Sequence, residues 1–475
     1  MSADARALVR AAGGDELLER LDHLDAVRAR GVPAPDAVSR APDASAAIDV
    51  DVAIVGGGLS LLIAPVLAAH GVRVAVFERA RVGAAHREWN ASARELAPLV
   101  ASGLVTAAEL DALIVARYED GTCRFHGGGV HSVRGVLDHA VDASALLAHA
   151  RSAAVARGVA LHDGHTLVSH GEGREGVALR FALSDGGHRD VVARIMVDAR
   201  GASSPYATAD MVCPTVGGVV AGLAEGDAPD EVDPRRGEIL ATIDDARDGI
   251  QHVWEGFPGR RGETTVYLFH YARASRPTSL VALYARFFAD LGRYKRGDAR
   301  LVRPTFGYIT GWSRLTPAPR APHPRIVLVG DAAARHSPLT LCGFGAMLRS
   351  FIPAADAIAA GVHDPRALGA MQTGAAHDAS IHALAGALAT MLAEAEPSPG
   401  ALNALLDAAF GTLAAMPNDA YGALLRDEMS PRAFTDFLRL TATKRPSVYR
   451  EVLSTLGAGR LTRWGMRVAR EVMRA

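Results

Sequence analysis

The sequence predicts an α/β protein with a Rossmann-like parallel sheet, an inserted antiparallel sheet and a helical C-terminal region. Three observations predict it. From Val52 an apolar run, a glycine turn, an apolar helix through about His70 and a second run, VRVAVFE, form a strand, turn, helix, strand unit. Short alternating strands follow: VALRFAL, VVARIMVDA, QHVWEGF and TTVYLFHY, the last two joined through Gly259 to Gly262 like a hairpin. Beyond about Pro365 the composition is helical, broken at Pro397, Pro399, Pro417, Pro431 and Pro446.

Length and charge bound the function classes. The chain has 475 residues, room for roughly three folding units. With 51 Lys+Arg against 52 Asp+Glu it carries a net charge of −1, which argues against a nucleic-acid binder. Three cysteines, Cys123, Cys213 and Cys342, with no C-x-x-C, exclude a disulfide framework and a thiolate metal cluster, so no metal site is expected. The first twenty residues mix both charges and do not read as a secretory signal. The uncharged run Val52 to Val72 holds Gly56, Gly57, Gly58 and Pro65, which fits a turn between strand and helix better than a membrane span. The expected location is cytoplasmic.

Residues 1–48 form a helical leader, with Leu17, Leu18, Leu21 and Leu24 at helical spacing, and a proline-containing linker. Residues 49–215 are the first part of the parallel-sheet domain, 216–320 the antiparallel substrate sheet, 321–364 the second part of the parallel-sheet domain, and 365–475 the helical region. Leu96 to Arg117 reads as a helix broken at Gly103, and Ala143 to Arg157 as a helix closed by Gly158.

The motif DVDVAIVGGGLSLLIAPVLAAHGVRVAVFER places Gly56, Gly57 and Gly58 after a strand, where backbone N–H groups and a helix N-terminus can approach a pyrophosphate. Glu78 closes the second strand 20 residues after Gly58 and can accept from both hydroxyls of an adenosine ribose. Leu61 replaces the third glycine and should push the helix away from the strand. An ordinary buried βαβ unit is the alternative. Two later strands end in the same way: IMVDARGASSP at Asp198 and Gly201, and RIVLVGDAAARHSPLTLCGFG at Gly330 and Asp331. Three glycine-rich strand ends in this order suit a single flavin adenine dinucleotide (FAD), a long cofactor gripped at several points.

The order resembles the flavoprotein superfamily of aromatic hydroxylases, geranylgeranyl reductases and lycopene cyclases. Within it REWNASARELAPLV, WEGFP and GDAAARHSPLTLCGFG are similar to lycopene-cyclase-like oxidoreductases over about Val52 to Ala360. The resemblance implies that Gly56, Gly58, Glu78 and the following Arg79 serve the adenosine end and Arg87 the pyrophosphate. It implies that Asp331 holds the ribityl chain, and that Pro338, Gly343, Phe344 and Gly345 form the turn and helix start that face the flavin. A helix N-terminus there would stabilise the anionic reduced ring. The chain departs from the cyclases, whose acidic F-L-E-E-T segment is replaced by TTVYLFHYA, and from the hydroxylases in carrying Ala334 where G-D-A-A-H has histidine.

The expected catalytic groups are Glu255, His270 and His336. Glu255 stands between Trp254 and Phe257, where desolvation would raise its pKa and suit it to acid catalysis; an exposed strand position is the alternative. His270 and Tyr271 alternate on a strand, so only one can face a cleft. His336 could orient substrate or make a structural hydrogen bond. At the C-terminus Arg460, Arg463, Arg467, Arg470 and Arg474 share one helix stripe, which fits either peripheral contact with an anionic membrane or a solvated face.

Three functions follow. The first is an FAD-dependent oxidoreductase that reduces or oxygenates an apolar, isoprenoid-like substrate, with NAD(P)H binding transiently because no second strand-linked G-x-G-x-x-G is present. The second is a non-redox cyclase or isomerase needing reduced flavin. The third is a flavin-free escort of lipidated partners.

Overall fold

The computed structural model describes residues 2–30, 47–85, 88–207, 209–311, 323–333, 343–369, 371, 400–426 and 428–473. Arg87, His336, Pro338, Cys342 and the proline linker after Arg30 lie outside the described residues.

Five parallel strands form the first sheet, in the order Ala160–His162, Val74–Phe77, Val50–Val55, His188–Asp198, Ile326–Leu328. Successive side chains point to opposite faces. Val52 and Ile54 therefore pack with Leu146, Leu348 and Phe351 from the helices Ala143–Ala156 and Gly343–His363. Ala53 and Val55 meet Leu179 and Phe181 of an antiparallel meander that covers the other face. This is the predicted α/β class.

The second sheet is built on the antiparallel strands Gly297–Gly311, Met211–Leu223, Glu263–His270, His252–Pro258 and Arg236–Ala241. Its far edge is supplied by Asp120–Arg124, which runs parallel to Arg236–Ala241, and by Val130–Arg134. These two strands fall within 49–215, so the second sheet reaches into the stretch assigned to the first domain. No apolar alternation marks DGTCR as a strand, which is why the boundary was invisible. A small third sheet joins Trp89–Ala91, His139–Val141 and Ile114–Arg117. The helix expected over Leu96 to Arg117 is thus two helices, Ala93–Ala101 and Ala107–Leu113, parted at Gly103 (φ 64°), and the β-branched Ile114 and Val115 open a strand.

One face of the second sheet, carrying Val216, Trp254, Val266 and Leu268, lies under the helices Leu280–Tyr294 and Ser2–Arg30. The first helix is therefore part of this layer and not a leader, because its Ala5, Val9 and Leu21 complete that core. Asp25 fixes it: the carboxylate accepts from Leu280 N at 2.8 Å, Ser279 Oγ at 2.7 Å and Tyr308 OH at 2.7 Å. The opposite face packs Val253, Phe257 and Tyr267 against the helices Ala401–Ala415, Asn418–Leu425 and Pro431–Lys444.

Candidate functional site

The first glycine turn is shaped by close approach. Gly56 has φ 112°, and a Cβ there would strike the carbonyl oxygen of Ala199 in the second motif. A Cβ on Gly57 would lie 3.0 Å from Val82 Cα, whereas one on Gly58 meets open space. Glu78 braces the loop, accepting from Gly57 N at 2.8 Å and from Ala80 N at 3.1 Å. It lies outside the cavity described below, as does the exposed Arg79. Leu61 is fully buried, and the helix opens with a tight 3-10 turn, Leu59–Leu62, before the α-helix Ile63–Ala69. The larger side chain is accommodated by that tighter winding.

In the second turn Asp198 has no exposed surface. Its carboxylate accepts from Arg200 N and Nε, both at 3.1 Å, from Arg200 Nη2 at 2.7 Å and from Ser204 Oγ at 2.7 Å. The expected cofactor contact at Asp198 is corrected: its acceptors are spent on organising the turn. Gly201 (φ 61°) turns the chain out to the cavity, where a Cβ would come 3.9 Å from Asp331 Cβ.

The third turn closes on the second. Gly330 has φ 59°, and the carbonyl of Asp331 accepts from Thr310 Oγ1 at 2.8 Å. A Cβ on Gly343 would lie 3.7 Å from Asp331 Oδ1. Gly345 leaves room for the buried Glu95, which pairs with Arg349 and accepts from Ser92 N at 3.0 Å and Ser92 Oγ at 2.8 Å. Phe344 stacks on Trp89 with ring centroids 4.6 Å apart. The helix start is held in place from two sides.

These turns border a cavity of about 610 Å³. Gly58, Gly201, Gly330, Asp331, Gly343, Phe344 and Gly345 form one wall, and the other is the inner face of the second sheet. There Tyr267, Phe269 and Ile309 give an apolar surface. A cavity of this size and lining suits a small organic ligand.

Glu255 stands in that apolar wall. It pairs across the hairpin with Tyr267, so both side chains share the cavity face while Trp254 turns away to stack on Tyr294 at 4.6 Å. Burial pushes its carboxyl up to about 7, and Asn90 Nδ2 donates to Oε1 at 3.1 Å. The group is a weak acid near neutrality, aimed at an apolar space.

The same alternation removes His270. It lies on the opposite face with Val266 and Leu268, 6% exposed, and its pKa is pushed down to about 3, first by burial and then by His252, whose ring lies 5.5 Å away. It is outside the cavity lining, so the expected catalytic role is corrected. Tyr271, buried at the strand end, is also absent from the lining.

Three cavity residues escaped sequence reasoning as site groups: Glu88, Trp89 and Asn90. Glu88 is raised by burial, pairs with Arg303 at 3.1 Å and keeps one buried carboxylate oxygen without a hydrogen-bond partner. The only signal for them was the run REWN, quoted for its resemblance.

No family model and no curated protein matches the chain. Solved structures do. The geranylgeranyl bacteriochlorophyll reductase-like protein of Thermoplasma acidophilum is similar at 16% identity and TM-score 0.56, over 86% of this chain and 99% of that one. The halogenase PltM is similar at 14% identity and TM-score 0.58, over 88% and 96%, and a variant of it was solved in complex with FAD. The p-nitrophenol 4-monooxygenase of Pseudomonas putida is similar at 15% identity and TM-score 0.56, over 80% and 97%. At these identities the likeness establishes the fold, a mixed α/β architecture shared with flavoproteins.

Proposed function

We propose that this protein is an FAD-dependent oxidoreductase that reduces or monooxygenates an apolar, isoprenoid-like small molecule in the cytoplasm. The observation that carries the reading is that turns 129 or more residues apart, at Gly58, Gly201 and Gly330 to Gly345, border one cavity. The residues fit the cofactor. Gly58 leaves its approach open, Gly201 and Gly343 leave space around Asp331, and a helix N-terminus begins at Gly343. Gly56, Gly57, Gly58 and Glu78 would hold the adenosine end, Asp331 the ribityl hydroxyls, and Gly343 to Gly345 the ring. FAD, when bound, supplies hydride transfer or oxygen activation, with NAD(P)H as a transient donor.

The chain's own residues do the rest. Phe269 and Ile309 would bind the substrate body and exclude water. Glu255, fixed by Asn90, would hold a proton on its free oxygen and deliver it into the cavity.

Purification, an absorption spectrum and identification of the heat-released flavin test the reading. FAD-loaded protein reduced by dithionite or by NADH or NADPH is expected. A colourless protein that takes up no FAD, or a loaded one that no donor reduces, overturns it.

Glu255 also favours a second reading, a lycopene-cyclase-type isomerase in which an acid protonates a polyene. Product analysis separates the two: unchanged hydrogen and oxygen content supports isomerisation, and a gain of either excludes it.

A further inference from the structure

We propose that the last two helices, Val448–Leu456 and Ala458–Val472, form a surface that docks on an anionic lipid bilayer. The inference stands on residues remote from the cavity and does not depend on the flavin reading.

The first observation is where exposed apolar side chains collect. Among the described residues nine large apolar side chains are exposed, and four of them, Tyr449 (62%), Leu453 (44%), Met466 (51%) and Met473 (78%), belong to the final 27 residues. Scattered single exposures are normal in any protein, but a concentration at one end marks a contact surface. The second observation is charge. Between Arg445 and Ala475 the sequence has seven arginines and two glutamates, in a chain whose net charge is −1.

The two properties share one stripe. Arg463, Met466, Arg470 and Met473 are spaced 3, 4 and 3 residues apart, which places them along one side of a helix, and all four are exposed. On the preceding helix Tyr449 and Leu453 are four apart, with the exposed Arg450 beside them. Val448 and Leu461 pack against the core, so the helices are seated by other side chains and this stripe is left outward.

Guanidinium groups alternating with thioether chains match a bilayer surface. The cations meet lipid phosphates while the methionines enter the acyl boundary. A nucleic acid would reward the arginines and leave the methionines, Tyr449 and Leu453 unburied. Among the described residues no helix is long and apolar enough to cross a membrane, so the contact is one of surface.

The test is co-sedimentation of the full chain with vesicles of phosphatidylcholine alone and of phosphatidylcholine mixed with phosphatidylglycerol. Binding to the mixed vesicles is expected, falling as salt rises. Each arginine near an anionic surface is worth about fivefold in partitioning, so Arg463→Gln with Arg470→Gln should bind about 30-fold more weakly. Met466→Ser with Met473→Ser should weaken the fraction that survives high salt. Circular dichroism checks that each variant keeps its helix content. Equal partitioning on both vesicles, no binding to either, or undiminished binding of the arginine variant overturns the proposal; retention on heparin without vesicle binding would overturn it in favour of a general polyanion site.

Discussion

At the residue scale, Glu255 and Asn90 are the pair whose chemistry is most sharply set. A carboxyl held at about 7 in the fold, against an ordinary value near 4.5, binds more protons folded than unfolded between those two values. Its contribution to stability is therefore present below pH 4.5 and is lost as pH rises through 7. We expect Glu255→Gln to be more stable than the parent at pH 8, by on the order of 3 kcal/mol, and indistinguishable from it at pH 4, as read from urea midpoints at both values. If the residue delivers a proton in catalysis, the same variant should lose about 10²- to 10³-fold in kcat while substrate binding is retained, and the alkaline limb of the rate profile should vanish. Gly56 sets a second expectation. With φ 112° and the Ala199 carbonyl against it, Gly56→Ala should cost about 2 kcal/mol or more in urea denaturation and, on the proposed flavin reading, should abolish retention of FAD.

At the scale of elements, Asp25 shows how one helix is capped by another. The helix Leu280–Tyr294 leaves the first N–H groups of its opening turn without intrahelical partners. Ser279 Oγ accepts from Ala282 N at 3.2 Å, and Asp25 accepts from Leu280 N at 2.8 Å and from Val281 N at 3.3 Å. Asp25→Ala should lower the free energy of unfolding by about 1 to 2 kcal/mol. Hydrogen exchange should quicken both in Ser2–Arg30 and at Leu280 to Leu283, since one carboxylate joins them. Nothing in the order of residues announces this partnership. The βαβ unit, the hairpin at Gly259 to Gly262 and the glycine strand ends were legible because turn residues and period-two apolar alternation are local properties. His270 was misplaced because alternation says that one neighbour faces a cleft without saying which, and the face is set by the helices packed on the far side. Asp198 was misread because Arg200 and Ser204, which consume its acceptors, lie only two and six residues on, and proximity in sequence did not reveal that they turn back. Asn90 acts across the fold on Glu255, and no spacing rule reaches that far.

At the scale of the molecule, three imidazoles, the buried His270 and the half-buried His162 and His252, shape the response to acid. Burial is the leading cause in each: His252 and His162 are pushed down to about 4, and His270 to about 3. All three are neutral in the fold at pH values where the unfolded chain, titrating near 6.5, takes up protons. Stability from them is full above pH 6.5 and is lost as pH falls toward 4, opposite in sign to the trend from Glu255. The parent should therefore be most resistant to thermal unfolding close to neutrality. His270→Gln should flatten the acid side of a plot of Tm against pH and leave the alkaline side unmoved.

The seat of the first helix has a consequence for synthesis on the ribosome. Asp25 finds its partner at Leu280, 255 residues later. At about 5 to 20 residues per second the nascent chain waits roughly 13 to 50 s before that partner exists. Until the strands from Met211 onward emerge, Ala5, Val9 and Leu21 have no sheet to cover. This helix is thus among the last elements to settle, its seat completed only when the strand at Gly297–Gly311 emerges.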